Sequence, residues 1–164
     1  MKQTIEIEVR GKKVPHWKAI KTFEDAVAVL GSNNQSVIDY YAIADKTCAR
    51  DILAFAKLRV IAEALNGGWR PKFDGKELRY YPWFYLYTKE EYDHLNKKKK
   101  NECRVVGSGN KGIYAVIGLA FASEYVSSAY LYSNYSSMLA FKTRELALYF
   151  ERQFTNILYD FLFA

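Results

Sequence analysis

The sequence predicts an α+β fold, in which an antiparallel sheet from the C-terminal half packs against an amphipathic helix over about 49–65 and a C-terminal helix over about 143–162, with a short helical region near the N-terminus. Three observations predict it. Apolar residues recur at helical spacing before residue 66 and again after residue 143, and aromatic runs suited to a pleated surface lie between them. The 164 residues, half of them hydrophobic, suit one core, and no linker or repeat divides the chain, so residues 1–164 are read as a single domain.

Taken in order, Thr4 to Arg10 alternates apolar and polar residues and ends at Gly11-Lys12-Lys13, the pattern of a half-buried strand and turn or of a short extended arm. Thr22 stands three residues before Asp25 and just ahead of Ala26, Val27, Val29 and Leu30, which predicts a capped helix of about two turns ending at Gly31. Val37 to Ala44 is a weaker stretch, helical or extended. Phe55, Leu58, Ile61, Ala62 and Leu65 then form one apolar stripe, and Asn66-Gly67-Gly68 stops the helix because glycine enters the left-handed conformation at little cost.

Beyond Trp69 the pattern becomes strand-like. Tyr80 to Tyr87 predicts a strand centred on Trp83 to Tyr87, with Pro82 at its start, an edge or a bulge because proline cannot donate to a ladder. Residues 89–101 read as a lysine-rich exposed insertion with a short helix. The runs Ile113 to Ala122 and Tyr125 to Tyr132, followed by a turn at Ser133 to Ser136, supply the remaining strands. Thr143 caps the last helix, whose stripe is Ala147, Phe150, Phe154, Ile157 and Phe161.

The formal charge of +6 favours association with polyanions. Part of the excess sits in Lys97 to Lys100, directly after Glu90, Glu91 and Asp93, and a run of that kind reads as a solvated face. The opening MKQTIEIEVR lacks the form of a signal peptide, no uninterrupted apolar run reaches ~18 residues, and two distant cysteines make no disulfide framework. A cytoplasmic location without membrane contact is the expectation.

Catalytic chemistry finds few carriers. His16 and His94 lack a second ligand at helical spacing, and Cys48 and Cys103 read as packing residues, so neither a metal nor a cofactor is expected. Gly107 to Gly112 lacks phosphate-loop spacing and reads as a hairpin loop, while Asp39, Asp45 and Asp51 read as caps or surface residues. The strongest binding candidate is the aromatic and basic set Trp69, Arg70, Lys72, Arg79, Tyr80, Tyr81 and Trp83. Bases stack on aromatic faces, at about 1–3 kcal/mol each, while Arg and Lys meet phosphates. The same aromatics also suit core and cross-strand packing. Lys142 and Arg144 read as solvated.

Three stretches carry a resemblance: Phe55 to Pro71 with its Trp69-Arg70-Pro71 end, Tyr80-Tyr81-Pro82-Trp83-Phe84, and Ala140 to Phe150 with Phe141-Lys142-Thr143-Arg144-Glu145-Leu146-Ala147, followed by Gln153-Phe154. Together with Ile20 to Ala26 they resemble an uncharacterised protein family common in phages and prophages of Bacteroidetes. The likeness spans most of the chain except Lys89 to Asn101. It implies a mobile-element gene and carries over no catalytic residue.

The expected function is therefore binding without turnover: a non-enzymatic phage or mobile-element accessory protein that contacts nucleic acid or a nucleotide through the aromatic-basic surface. The alternative is a protein-interaction module, such as an inhibitor of a host defence factor or a small phage assembly component, using an exposed Tyr- and Ser-rich stretch from Ser123 to Ser137.

Overall fold

The computed structural model describes residues 6–9, 12–72, 78–87, 89–105, 118–127 and 139–163, with the strand residues 6–9, 12–15, 83–87, 103–105 and 118–127 described by their backbone course. The elements are β1 (Glu6–Val9), β2 (Lys12–Pro15), a 3-10 turn (His16–Ala19), α1 (Phe23–Leu30), α2 (Gln35–Ala44), α3 (Arg50–Asn66), β3 (Leu78–Tyr87), α4 (Lys89–His94), α5 (Lys97–Glu102), β4 (Cys103–Val105), β5 (Gly118–Ser127), α6 (Arg144–Gln153) and α7 (Thr155–Phe163).

Local chemistry sets the helix boundaries. Thr22 and Asp25 form a reciprocal capping box at α1: the Thr22 hydroxyl accepts from the Asp25 N–H at 3.1 Å, and the Asp25 carboxylate accepts from the Thr22 N–H at 2.9 Å. Asn34 caps α2 by accepting from the Ser36 and Val37 amides, and that cap settles the stretch at 37–44 as helix. Gly67, at φ 57°, closes α3 in the left-handed conformation.

Helices, not a sheet, build the core, and this corrects the expected α+β layering. A helix over 49–65 that faced a sheet would bury one stripe. Instead α3 is buried on more than that stripe: Ala54, Ala56, Val60 and Ala64 are buried along with Leu58, Ile61, Ala62 and Leu65. It packs against α1, α2, α6 and α7, the alanines letting neighbouring helices approach. A central helix enclosed by other helices has no face left for strands. The described architecture is mostly helical, with seven α-helices.

The C-terminal helix expected over 143–162 is two helices, α6 and α7, broken at Phe154. The Thr155 hydroxyl donates to the carbonyls of Glu151 at 2.8 Å and Arg152 at 3.2 Å, which competes with the regular ladder at that turn. The break lets each segment aim its own aromatics. Phe150 meets Phe141, with ring centroids 4.7 Å apart, while Phe161 of α7 stacks on Phe55 of α3 at 5.3 Å. Arg50 and Asp160 form an ion pair between α3 and α7.

The strands form two separate sheets. β1 and β2 pair antiparallel, and β3 and β4 flank β5, with Leu78 opposite Ser127 and Tyr87 opposite Gly118. Among the larger helices it is α6 that contacts β3 and β5. The tie between strands and helices is a reciprocal backbone bridge: the Tyr80 N–H donates to the Phe141 carbonyl at 3.0 Å, and the Phe141 N–H donates back at 2.8 Å. No described helix is long and apolar enough to cross a membrane.

Candidate nucleic-acid interface

Six of the seven residues singled out in the sequence have described side chains, and these fall into two environments. Trp69, Arg70 and Lys72 follow the end of α3 in an irregular segment; Trp69 is half-buried, whereas Arg70 and Lys72 are exposed. Arg79, Tyr80 and Tyr81 occupy the first residues of β3, where the pleat sends successive side chains to opposite faces. Tyr80 lies against the helical core, and burial raises the Tyr81 phenol above its ordinary range although the Arg79 charge opposes the shift. Arg79 itself is only 4% exposed, so it is an internal cation and not a surface contact. The Trp83 side chain lies outside the described residues, as do the side chains of the stretch from Ser123 to Ser137 and the loop at Gly107 to Gly112.

Asn66 joins the two environments. Its side-chain amide donates to the Ala140 carbonyl at 2.8 Å, and its side-chain oxygen accepts from the Lys142 N–H at 3.1 Å. Its own carbonyl accepts from the Trp69 N–H at 3.2 Å, folding the Gly67-Gly68 turn back on the helix end. Between the two residues that Asn66 grips lies Phe141, which bridges to Tyr80. One asparagine therefore gathers the end of α3, the start of β3 and the approach to α6 into a corner. Arg70, Lys72, Lys142 and Arg144 are all exposed on the segments that flank these contacts.

Glu63, a carboxylate of α3, faces Arg70. Burial pushes its carboxyl up, but hydrogen bonds from Ser36 and Asn34 and the charges of Arg70 and Arg59 outweigh that and hold it below the usual range. The Ser36 hydroxyl donates to it at 2.6 Å and the Asn34 amide at 3.0 Å, while the Arg70 guanidinium stands off at 3.8 Å. A carboxylate so well supplied with donors is a poor general base. It serves instead to fasten the start of α2 to α3. The Arg70 side chain remains 81% exposed, and keeps N–H groups for an incoming anion.

Other candidates stand apart. His94 Nδ1 lies 2.6 Å from the Glu90 carbonyl of its own helix, His16 is half-buried beside Trp17, and Cys48 is exposed. Among the described residues no three His, Cys, Asp or Glu side chains gather as a metal-binding group. Asp39 accepts from Gln35 at 2.7 Å and lies 3.8 Å from Arg59, Asp45 follows the end of α2, and Asp51 sits exposed in the first turn of α3.

Two features escape a reading of the sequence. Asn66 reads there only as part of a helix stop, and its partners lie more than 70 residues away, so no local pattern reveals the link. Glu151 is fully buried in α6, and neither carboxylate oxygen finds a hydrogen-bond partner among the described residues. Its position, four residues after buried Ala147 and directly after Phe150, puts it on the apolar side of the wheel and was the available signal.

No family model, curated protein or solved structure matches this chain.

Proposed function

We propose that this protein binds single-stranded nucleic acid, without turnover, at the corner formed by Trp69, Arg70 and Lys72 beside the start of β3. The observation that carries this reading is the pairing of two exposed cations with a half-buried indole in a segment whose backbone is tied down by Asn66. Exposed cations can meet phosphate, and an indole beside them offers a face on which a base can stack. The resemblance to phage and prophage proteins agrees with an accessory role on a mobile element, in the cytoplasm of a bacterial host.

The test is titration of a fluorescein-labelled oligothymidylate of about 15 nucleotides while anisotropy and tryptophan emission are followed. Binding should weaken steeply with salt, and Trp69→Ala and Arg70→Gln should each weaken it without loss of helical circular dichroism. Binding of a mononucleotide with equal affinity would move the reading to a nucleotide ligand. Absence of any salt-dependent association would overturn it.

A second reading, a protein-interaction module such as an inhibitor of a host defence factor or a phage assembly component, draws on a different surface. Ile38 and Tyr41 of α2 and Ile52 of α3 are 46%, 56% and 48% exposed, apolar side chains that the fold leaves uncovered. Ile38→Asp with Tyr41→Lys should abolish co-purification of a specific host or phage protein if that reading holds.

A further inference from the structure

We infer that Lys142 belongs to the same phosphate-contacting surface as Arg70, so that the interface is built from two chain segments that the sequence separates widely. The inference rests on the nucleic-acid reading and deepens it by naming a residue that the linear pattern assigns to plain solvation. Asn66 spans the gap, its turn carbonyl holding Trp69 and its side chain holding the Lys142 backbone N–H at 3.1 Å. Arg70 follows the first of these contacts directly, and Lys142 carries the second. Both side chains are exposed, on segments that Asn66 holds through the Trp69 and Lys142 amides.

The geometry distinguishes this corner from the more conspicuous run Lys97 to Lys100. Surfaces that follow a phosphate backbone combine cations from several elements, as Arg70 and Lys142 do. The lysine run belongs to one short helix. Its last member is occupied locally: Lys100 Nζ donates to the Asp93 carbonyl at 2.7 Å and lies 5.6 Å from the Tyr92 ring centroid. Glu90, Glu91 and Asp93 are exposed on the helix just before it and offset its charge. Glu63, which lies 3.8 Å from Arg70, is already bound by Ser36 and Asn34. The exposed Glu145 lies three residues beyond Lys142.

Lys142→Gln is a clean variant because Asn66 holds the backbone of Lys142 and not its side chain. With the same 15-nucleotide oligothymidylate, Arg70→Gln and Lys142→Gln should each lower affinity about three- to tenfold at low salt. Each should also reduce the slope of log K against log salt by roughly 0.7, the loss of one phosphate contact on a single strand. Lys142→Arg should keep wild-type binding, and Lys98→Gln should change neither affinity nor slope. Wild-type affinity and slope for Lys142→Gln, alongside weakened binding by Arg70→Gln, would overturn the inference while leaving the nucleic-acid reading intact. Failure of the unmodified protein to bind any oligonucleotide would instead remove that reading, and the inference with it.

Discussion

Ser36, at the start of α2, donates its hydroxyl to the Glu63 carboxylate in the penultimate turn of α3 at 2.6 Å, and this charge-assisted bond is what seats the shorter helix on the central one. Val37 is the buried residue of α2, so the helix has few apolar anchors of its own. The polar contact at its start carries a share that packing would otherwise supply.

Ser36→Ala should therefore destabilise the fold by about 1–3 kcal/mol, read as a lower urea midpoint, and Glu63→Gln should do likewise. The Glu63 carboxyl is held below its ordinary range, so its contribution is present above the unfolded value of 4.5 and is lost as pH falls through the lower folded value. Wild-type protein should lose stability below about pH 4.5 more steeply than Glu63→Gln. Parallel acid profiles would refute the assignment.

Glu151 works in the opposite direction. Desolvation pushes its carboxyl from 4.5 up to about 8, against a smaller opposing effect of Arg152, so at neutral pH it is buried as the acid. The unfolded chain ionises near the ordinary value while the folded chain holds its proton. The contribution of Glu151 to stability is then most favourable below 4.5, declines as pH rises toward about 8, and levels off above it. Glu151→Met should be a few kcal/mol more stable than wild type at pH 8 and nearly equal to it at pH 4, since each tenfold change in proton affinity between the two states corresponds to about 1.4 kcal/mol. Equal differences between the two proteins at both pH values would refute a neutral buried acid.

The central position of α3 has its own consequence. Leu58 is fully buried among the helices, whereas Ile52, in the first turn of the same helix, is 48% exposed. Leu58→Ala should cost about 2–5 kcal/mol and Ile52→Ala well under 1 kcal/mol, measured by urea unfolding. Similar costs at the two sites would contradict a helix enclosed at its middle and open at its start.

Legibility in the sequence followed the range of the interaction. The Thr22 capping box, the Gly67 stop and the Thr143 cap are contacts among close neighbours, and all three were readable. The architecture was not, because a stripe such as Leu58, Ile61 and Leu65 states that a face is covered without stating by what. Sheet and helix leave the same mark on a single amphipathic helix; the extra buried alanines between the stripe residues were the sign of helical neighbours on several sides. The division of the last helix was hidden in one Thr155 hydroxyl, which can bond to solvent or to its own backbone from the same sequence. In the candidate site, Trp69, Arg70 and Lys72 were visible as neighbours, while the inward placement of Arg79 and the joining role of Asn66 depend on contacts between distant segments.

The paired backbone bonds of Tyr80 and Phe141 have a consequence for how the molecule comes apart. Because each residue both gives and receives, releasing the strand edge also strips a partner from the fully buried residue that leads into α6. Strand edge and helical body should thus open as one cooperative foldon. In deuterium exchange, the Tyr80 and Phe141 amides should be labelled at the slow rate of mid-α3 amides, not at the faster rate of a detachable flap.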